Sequence, residues 1–254
     1  MPETAPDFRQ AETQPSRAPA INAPKVVLLL CAIMLAVHLV QVLGSRHTVE
    51  WIVLRLAFIP ARYDAESGLI YPAGIAADVW TFFSHLFVHG DWTHLAVNGF
   101  FMLAFGSVLA RRFGATRFLL FSALSGLGAV MVHLFAYWGD QTPLIGASGA
   151  ISGQMAGTVR LMFATRRPAF SAIREDPAEV RALGLFEVFK TPRALIFLIV
   201  WVGVTIVVGA GGLMAAEGSS IAWEAHLGGF ATGMLLFGLF DPGSGSWDGS
   251  THSQ

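Results

Sequence analysis

Charge is scarce in this chain. Asp, Glu, Lys and Arg make up 13% of its 254 residues, roughly half the share usual in a soluble globular domain. The formal net charge is −1, so nothing in the composition favours a polyanion, and no nucleic-acid partner is expected. Cysteine occurs once, as Cys31 inside an apolar run. No internal disulfide can form, and the thiol is expected to face lipid or to pack. Against these scarcities stand 54% hydrophobic residues and a mean hydropathy of +0.58. The composition is that of an integral membrane protein, with one membrane domain expected at 25–240.

Residues 1–24 are polar and rich in Pro, Ala and Thr; they read as a disordered tail. Residues 26–43 form a continuous apolar run of spanning length. A signal peptide would carry a shorter apolar core and a small-residue cleavage site, so this is the first transmembrane helix. Residues 45–90 then read as a long outer loop. Its polar residues interrupt every possible span, its aromatic residues suit the membrane interface, and Pro60 and Pro72 mark turns. Further apolar stretches at 92–110, 118–138, 194–210 and 223–240, with a short one at 149–164, predict an all-α, polytopic bundle of six transmembrane helices. Residues 241–254 are Gly/Ser-rich and read as a flexible tail.

Basic residues set the expected orientation. The connection after the second span holds Arg111, Arg112 and Arg117, and the connection at 164–193 holds Arg166, Arg167, Arg174, Arg181, Lys190 and Arg193. Residues 139–147 and 211–222 hold neither Lys nor Arg. Both termini are therefore expected in the cytoplasm. Arg46, Arg55 and Arg62 in the outer loop soften that contrast.

Within 144–157, LIGASGAISGQMAG, Ser148 stands between glycines. Gly149, Gly153 and Gly157 recur every fourth residue, as do Ser148, Ser152 and Ala156. One helical face is almost bare, which lets a neighbouring backbone come close. Taken alone, the stretch fits either a nucleophile or a packing helix that happens to begin with serine. The parity of six spans adds a constraint. Spans two, four and six all start at the outer surface, and His94 with Asn98, Ser148, and His226 open them. Polar groups inside spans are costly, so their convergence at one depth marks function. Gly229 and Gly233 share a face with His226 and form a close-packing pair that the bare face of the fourth span can match. If the two faces meet, His226 lies beside Ser148 and can act as its base. Asn98, and His94 with it, could stabilise an oxyanion together with the Ser148 N–H. Glu224, two residues from His226, would point elsewhere on a helix, so a dyad is expected rather than a triad. His133 is expected to be packed or hydrogen-bonded, and His38, His47 and His252 are given no role. His85 and His89, four residues apart, lack the glutamate of a zinc motif and are expected to shape the outer loop. No metal is expected.

The motifs SHLFVHGDWTHLAVN, Gly146-Ala147-Ser148-Gly149 and Ala225-His226-x-x-Gly229-x-x-x-Gly233, in that order, resemble those of the rhomboid intramembrane serine proteases of the bacterial six-helix type. The resemblance covers about 26–240. It implies Ser148 as nucleophile, His226 as general base, and His94, Asn98 and the Ser148 amide as the oxyanion site. It further implies a hydrolase that cuts single-span membrane proteins in the lipid bilayer, at small residues, where the substrate helix can unwind, and that works without metal or cofactor. A location in the bacterial inner membrane, with the site open to the outer side, goes with it. Trp80-Thr81 stands where the family often has Trp-Arg. Two rivals keep a place: a non-catalytic relative that binds membrane clients, and a small transporter. Loss of the serine or histidine would mark the first, and charged pairs at midspan the second; this chain shows neither.

Overall fold

A computed structural model describes residues 23–165, 180–210 and 222–243. Most of the tails expected at 1–24 and 241–254, much of the 164–193 connection and nearly all of 211–222 lie outside those residues. Among the described residues the chain is helical, with a single isolated β-bridge between Phe58 and Leu144.

Helix α1, Lys25–Leu43, starts after Pro24 and ends at Gly44. A Cβ at Gly44 would lie 2.6 Å from the Val40 carbonyl, so only glycine lets the chain turn so sharply there. Ser45 then caps α2, Arg46–Leu56, by accepting from the Thr48 N–H. The outer loop of the sequence reading is therefore largely helical, with α2 and α3, Gly74–Ser84, joined by two short 3-10 turns. Both helices are eleven residues long and half-buried, too short and too amphipathic to read as spans. Pro60 opens the first 3-10 turn, where its missing N–H costs nothing.

Side chains tie this segment together. Arg62 donates to the Leu54 and Pro72 carbonyls and pairs with Asp78. The Trp80 indole donates to the Arg55 carbonyl at 2.6 Å, and the Arg55 guanidinium lies over the Trp51 ring. Trp80 thus anchors the loop without an arginine beside it in sequence. Phe58 is fully buried against Tyr63 and Phe82. Through its paired hydrogen bonds with Leu144, the outer segment is fastened to the strand-like approach to Ser148.

Helix α4 runs over Trp92–Phe113 with a π-helical turn at Met102–Gly106. The Thr158 hydroxyl donates to the Phe105 carbonyl inside that turn, taking up an acceptor that a wide turn leaves poorly satisfied. Gly114, at φ 75° and ψ 167°, makes the corner into α5, Ala115–Ala136. That backbone conformation is essentially confined to glycine. Helix α6, Ser148–Met162, is buried along nearly its whole length. Helices α7, Leu185–Lys190, and α8, Pro192–Ala210, follow. Helix α9, Trp223–Phe240, closes the bundle.

Helices α1, α4, α5 and α8 are long and apolar enough to cross a membrane. Helix α6 has fifteen residues and is enclosed by its neighbours, so its polar start needs no lipid contact. Helix α9 carries Glu224 and His226 in its first turns. Exposed Ile196, Ile199, Val200, Val204 and Val207 line α8, a surface suited to lipid. The chain is an integral, all-α polytopic membrane bundle with α6 at its centre. Cys31, on α1, is partly buried and packs against the core.

Candidate active site

Three helices meet around Ser148 because their contact faces carry almost no side chain. A Cβ built on Gly229 would collide with the Gly149 carbonyl, and one on Gly233 with the Gly153 backbone. On the other side of α6, a Cβ on Gly153 would strike the Ser125 side chain of α5, and one on Gly149 would lie 2.5 Å from the Ala129 methyl. Gly157 continues the stripe, with Leu109 and Phe237 at 3.0 Å from its notional Cβ. The spacing of four puts Gly149, Gly153 and Gly157 on one stripe of α6, thin enough for both neighbours to close on the backbone there. In that register the first residue of α6 and the first turn of α9 lie side by side: Ser148 Oγ and His226 Nε2 are 2.7 Å apart.

The approach to Ser148 is fixed from below by histidines. Gly146 has φ 105°, and a Cβ there would meet His94 Nε2 at 2.5 Å. Glycine is required on both counts, and it seats the His94 ring against the turn that delivers the serine. The Gly146 N–H donates to the His85 carbonyl. His85 Nδ1 donates in turn to the Thr81 carbonyl at 3.0 Å. Burial pushes the His85 imidazole down to about 4, so it is neutral at physiological pH, with one proton already committed. His89 packs edge-on against His94 at 5.1 Å. Asp91 caps α4 by accepting from the His94 N–H at 2.8 Å. Asn98, one turn deeper, donates to the His94 carbonyl, and its Oδ1 is buried without a partner. Among the described residues, no group of His, Cys, Asp and Glu is arranged to hold a metal ion.

Glu224 holds a feature that sequence reasoning missed. Its carboxylate does not reach His226. It accepts from His133 Nδ1 of α5 at 2.6 Å, and both residues are buried. Ninety-one positions separate the two, and no local spacing could have joined them. Beside the pair lies a cavity of about 430 Å³, lined among others by Tyr137, Asp140, Ile145 and Trp223. A hydrogen bond from the Thr142 backbone N–H holds the Asp140 carboxyl below its ordinary range.

A family model described as the Rhomboid domain matches residues 76–241, a narrower span than the 26–240 of the sequence resemblance. The rhomboid protease AarA of Providencia stuartii is 30% identical over 103 residues. That match covers 35% of this chain and 37% of AarA, so the chain spans little more than a third of that relative's length. The family match covers well over half of this chain and takes in α4, α5, α6 and α9 with every side chain around Ser148; the chain belongs to the rhomboid family.

Proposed function

We propose that this protein is an intramembrane serine endopeptidase working through a Ser148–His226 dyad. The observation that carries the reading is the 2.7 Å contact between Ser148 Oγ and His226 Nε2 at the joined starts of two helices. A serine hydroxyl is a weak nucleophile until a base takes its proton. With His226 protonated on Nδ1, its Nε2 lone pair accepts from the hydroxyl. Oγ attacks the scissile carbonyl, and the proton passes to Nε2. The imidazolium then protonates the departing amine, which leaves an acyl-enzyme. Water, deprotonated by the same nitrogen, attacks that ester and releases the acid and the serine.

The negative oxygen formed in each half-reaction needs donors. Ser148 is the first residue of α6, where a helix leaves its N–H groups without intrahelical acceptors. His94 Nε2 lies against Gly146, two residues away. Asn98 Nδ2 spends one hydrogen on the His94 carbonyl and keeps a second. These groups are assigned to the oxyanion. Glu224 is engaged by His133, and among the described residues no carboxylate hydrogen-bonds to His226, which supports a dyad. The proposed substrates are single-span membrane proteins that unwind beside Ser148. The proposed setting is the bacterial inner membrane, with both termini cytoplasmic and the site open to the outer side.

Labelling with a fluorophosphonate in detergent micelles tests the assignment. Wild type should be labelled, and Ser148→Ala and His226→Ala should not. Labelling that persists in folded Ser148→Ala would remove Ser148 as nucleophile. Equal labelling of His226→Ala would remove the base.

A further inference from the structure

The cavity beside the His133–Glu224 pair has a one-sided chemistry. It measures about 430 Å³ and opens between the end of α5, the segment leading to Ser148 and the start of α9. Among the described residues two carboxylates line it, Asp140 and Glu224, and no lysine or arginine does. Glu224 is only 6% exposed, and His133 occupies just one of its oxygens. Oε2 is buried without a partner, as is Nε2 of His133. A buried carboxylate oxygen left unpaired is costly and calls for a donor. Asp140 accepts from the Thr142 N–H, which favours its ionised form. Even with His133 protonated, the lining side chains keep a net negative charge. A hydrogen-bond donor carrying positive charge fits this wall, and an anion does not.

The cavity's place says what would bring that cation. Ile145 lies three residues before Ser148, and Glu224 two before His226. Three residues span at most about 10 Å, so the Ile145 wall lies no farther than that from Ser148, and two or three residues of an extended peptide cover the same length. We propose that the cavity is a subsite for a lysine or arginine side chain of the substrate, two or three residues from the bond cut at Ser148. This rests on the protease reading and adds a specificity that the dyad does not supply. Tyr137, whose ring lies 5.1 Å from that of His133, gives the aliphatic stem of such a side chain an apolar surface.

The test uses the full chain in proteoliposomes and a single-span substrate that it cleaves. One residue at a time, from three before the scissile bond to three after it, is made Lys or Gln. At one position Lys should raise kcat/KM over Gln by about tenfold, the effect of one charged hydrogen bond. Glu224→Gln and Asp140→Asn should each shrink that Lys/Gln ratio, which is read within a variant and so is independent of its overall rate. Equal rates for Lys and Gln at every position in wild type would overturn the subsite while leaving the protease reading intact. An undiminished ratio in both variants would do the same. Absence of all cleavage, with Ser148 refusing the phosphonate, would overturn the protease reading and the subsite with it.

Discussion

His133 and Glu224 illustrate what a single buried contact holds in place. The pair joins the end of α5 to the first turn of α9, two residues from His226. Truncating one partner strands the other inside the bundle. His133→Ala is therefore expected to cost about 3 kcal/mol, because it leaves the Glu224 carboxylate buried without its donor. Glu224→Gln keeps an acceptor for the imidazole and should cost only about 1 kcal/mol. Thermal midpoints in one detergent compare them, and equal losses would mean that the contact's charge, rather than its hydrogen bond, carries the effect. The same residue marks a limit of sequence reading. A carboxylate two positions from His226 is visible at once, and helical geometry correctly turns it away from that imidazole. Its true partner is ninety-one residues off, and only the packing of α5 on α9 brings them together.

At the level of the helix, glycine spacing carries most of the information. The interval of four between Gly149, Gly153 and Gly157, and between Gly229 and Gly233, is legible in the sequence because helical periodicity converts it directly into a face. The structure brings Gly149 to Gly229 and Gly153 to Gly233. The consequence can be measured by contrast. Gly229→Ala would drive a methyl into the Gly149 carbonyl, and backbone cannot yield as a side-chain tip does. A loss of about 3 kcal/mol is expected, and Gly153→Leu, aimed at Ser125 and the Gly229 carbonyl, should lose more. A Cβ on Gly203, on α8, meets nothing within 4 Å. Gly203→Ala should gain about 0.5–1 kcal/mol from backbone entropy alone. A Gly229→Ala melting midpoint as high as that of Gly203→Ala would contradict the close contact of α6 with α9. Helices α2 and α3 were not legible in the same way. Each is eleven residues long, fastened by Arg62, Tyr63 and Trp80 to backbone carbonyls. Such anchors leave no periodic trace. The π turn in α4 is equally silent, since it inserts no proline or polar residue to mark itself.

For the whole molecule, the decisive property is which end of the bundle faces which compartment. The two ends differ chemically. Ser148, His226 and the Asp140 rim lie at one end. The other end, where α4 passes into α5 and α9 finishes, is closed by arginines. Arg112 grips Asp241 at 2.6 Å and donates to the Val180 carbonyl, while Arg160 donates to the Leu183 and Met234 carbonyls. Both arginines are buried, so they join α4, α6, α9 and the chain at 180–183 into one plate and contribute less to the surface charge than their number suggests. Exposed basic residues remain at that end, and the proposed orientation places it in the cytoplasm. Cysteine scarcity makes the test direct. In a Cys31→Ser background, Gln141→Cys should react with a membrane-impermeant maleimide on intact cells, because Gln141 is exposed beside the Ser148 end. Thr116→Cys, exposed at the α4–α5 corner, should react only after the membrane is opened. The reverse pattern would invert the protein and place the serine on the cytoplasmic side. The substrates it could reach would then have to present their cleavage sites from within the cell.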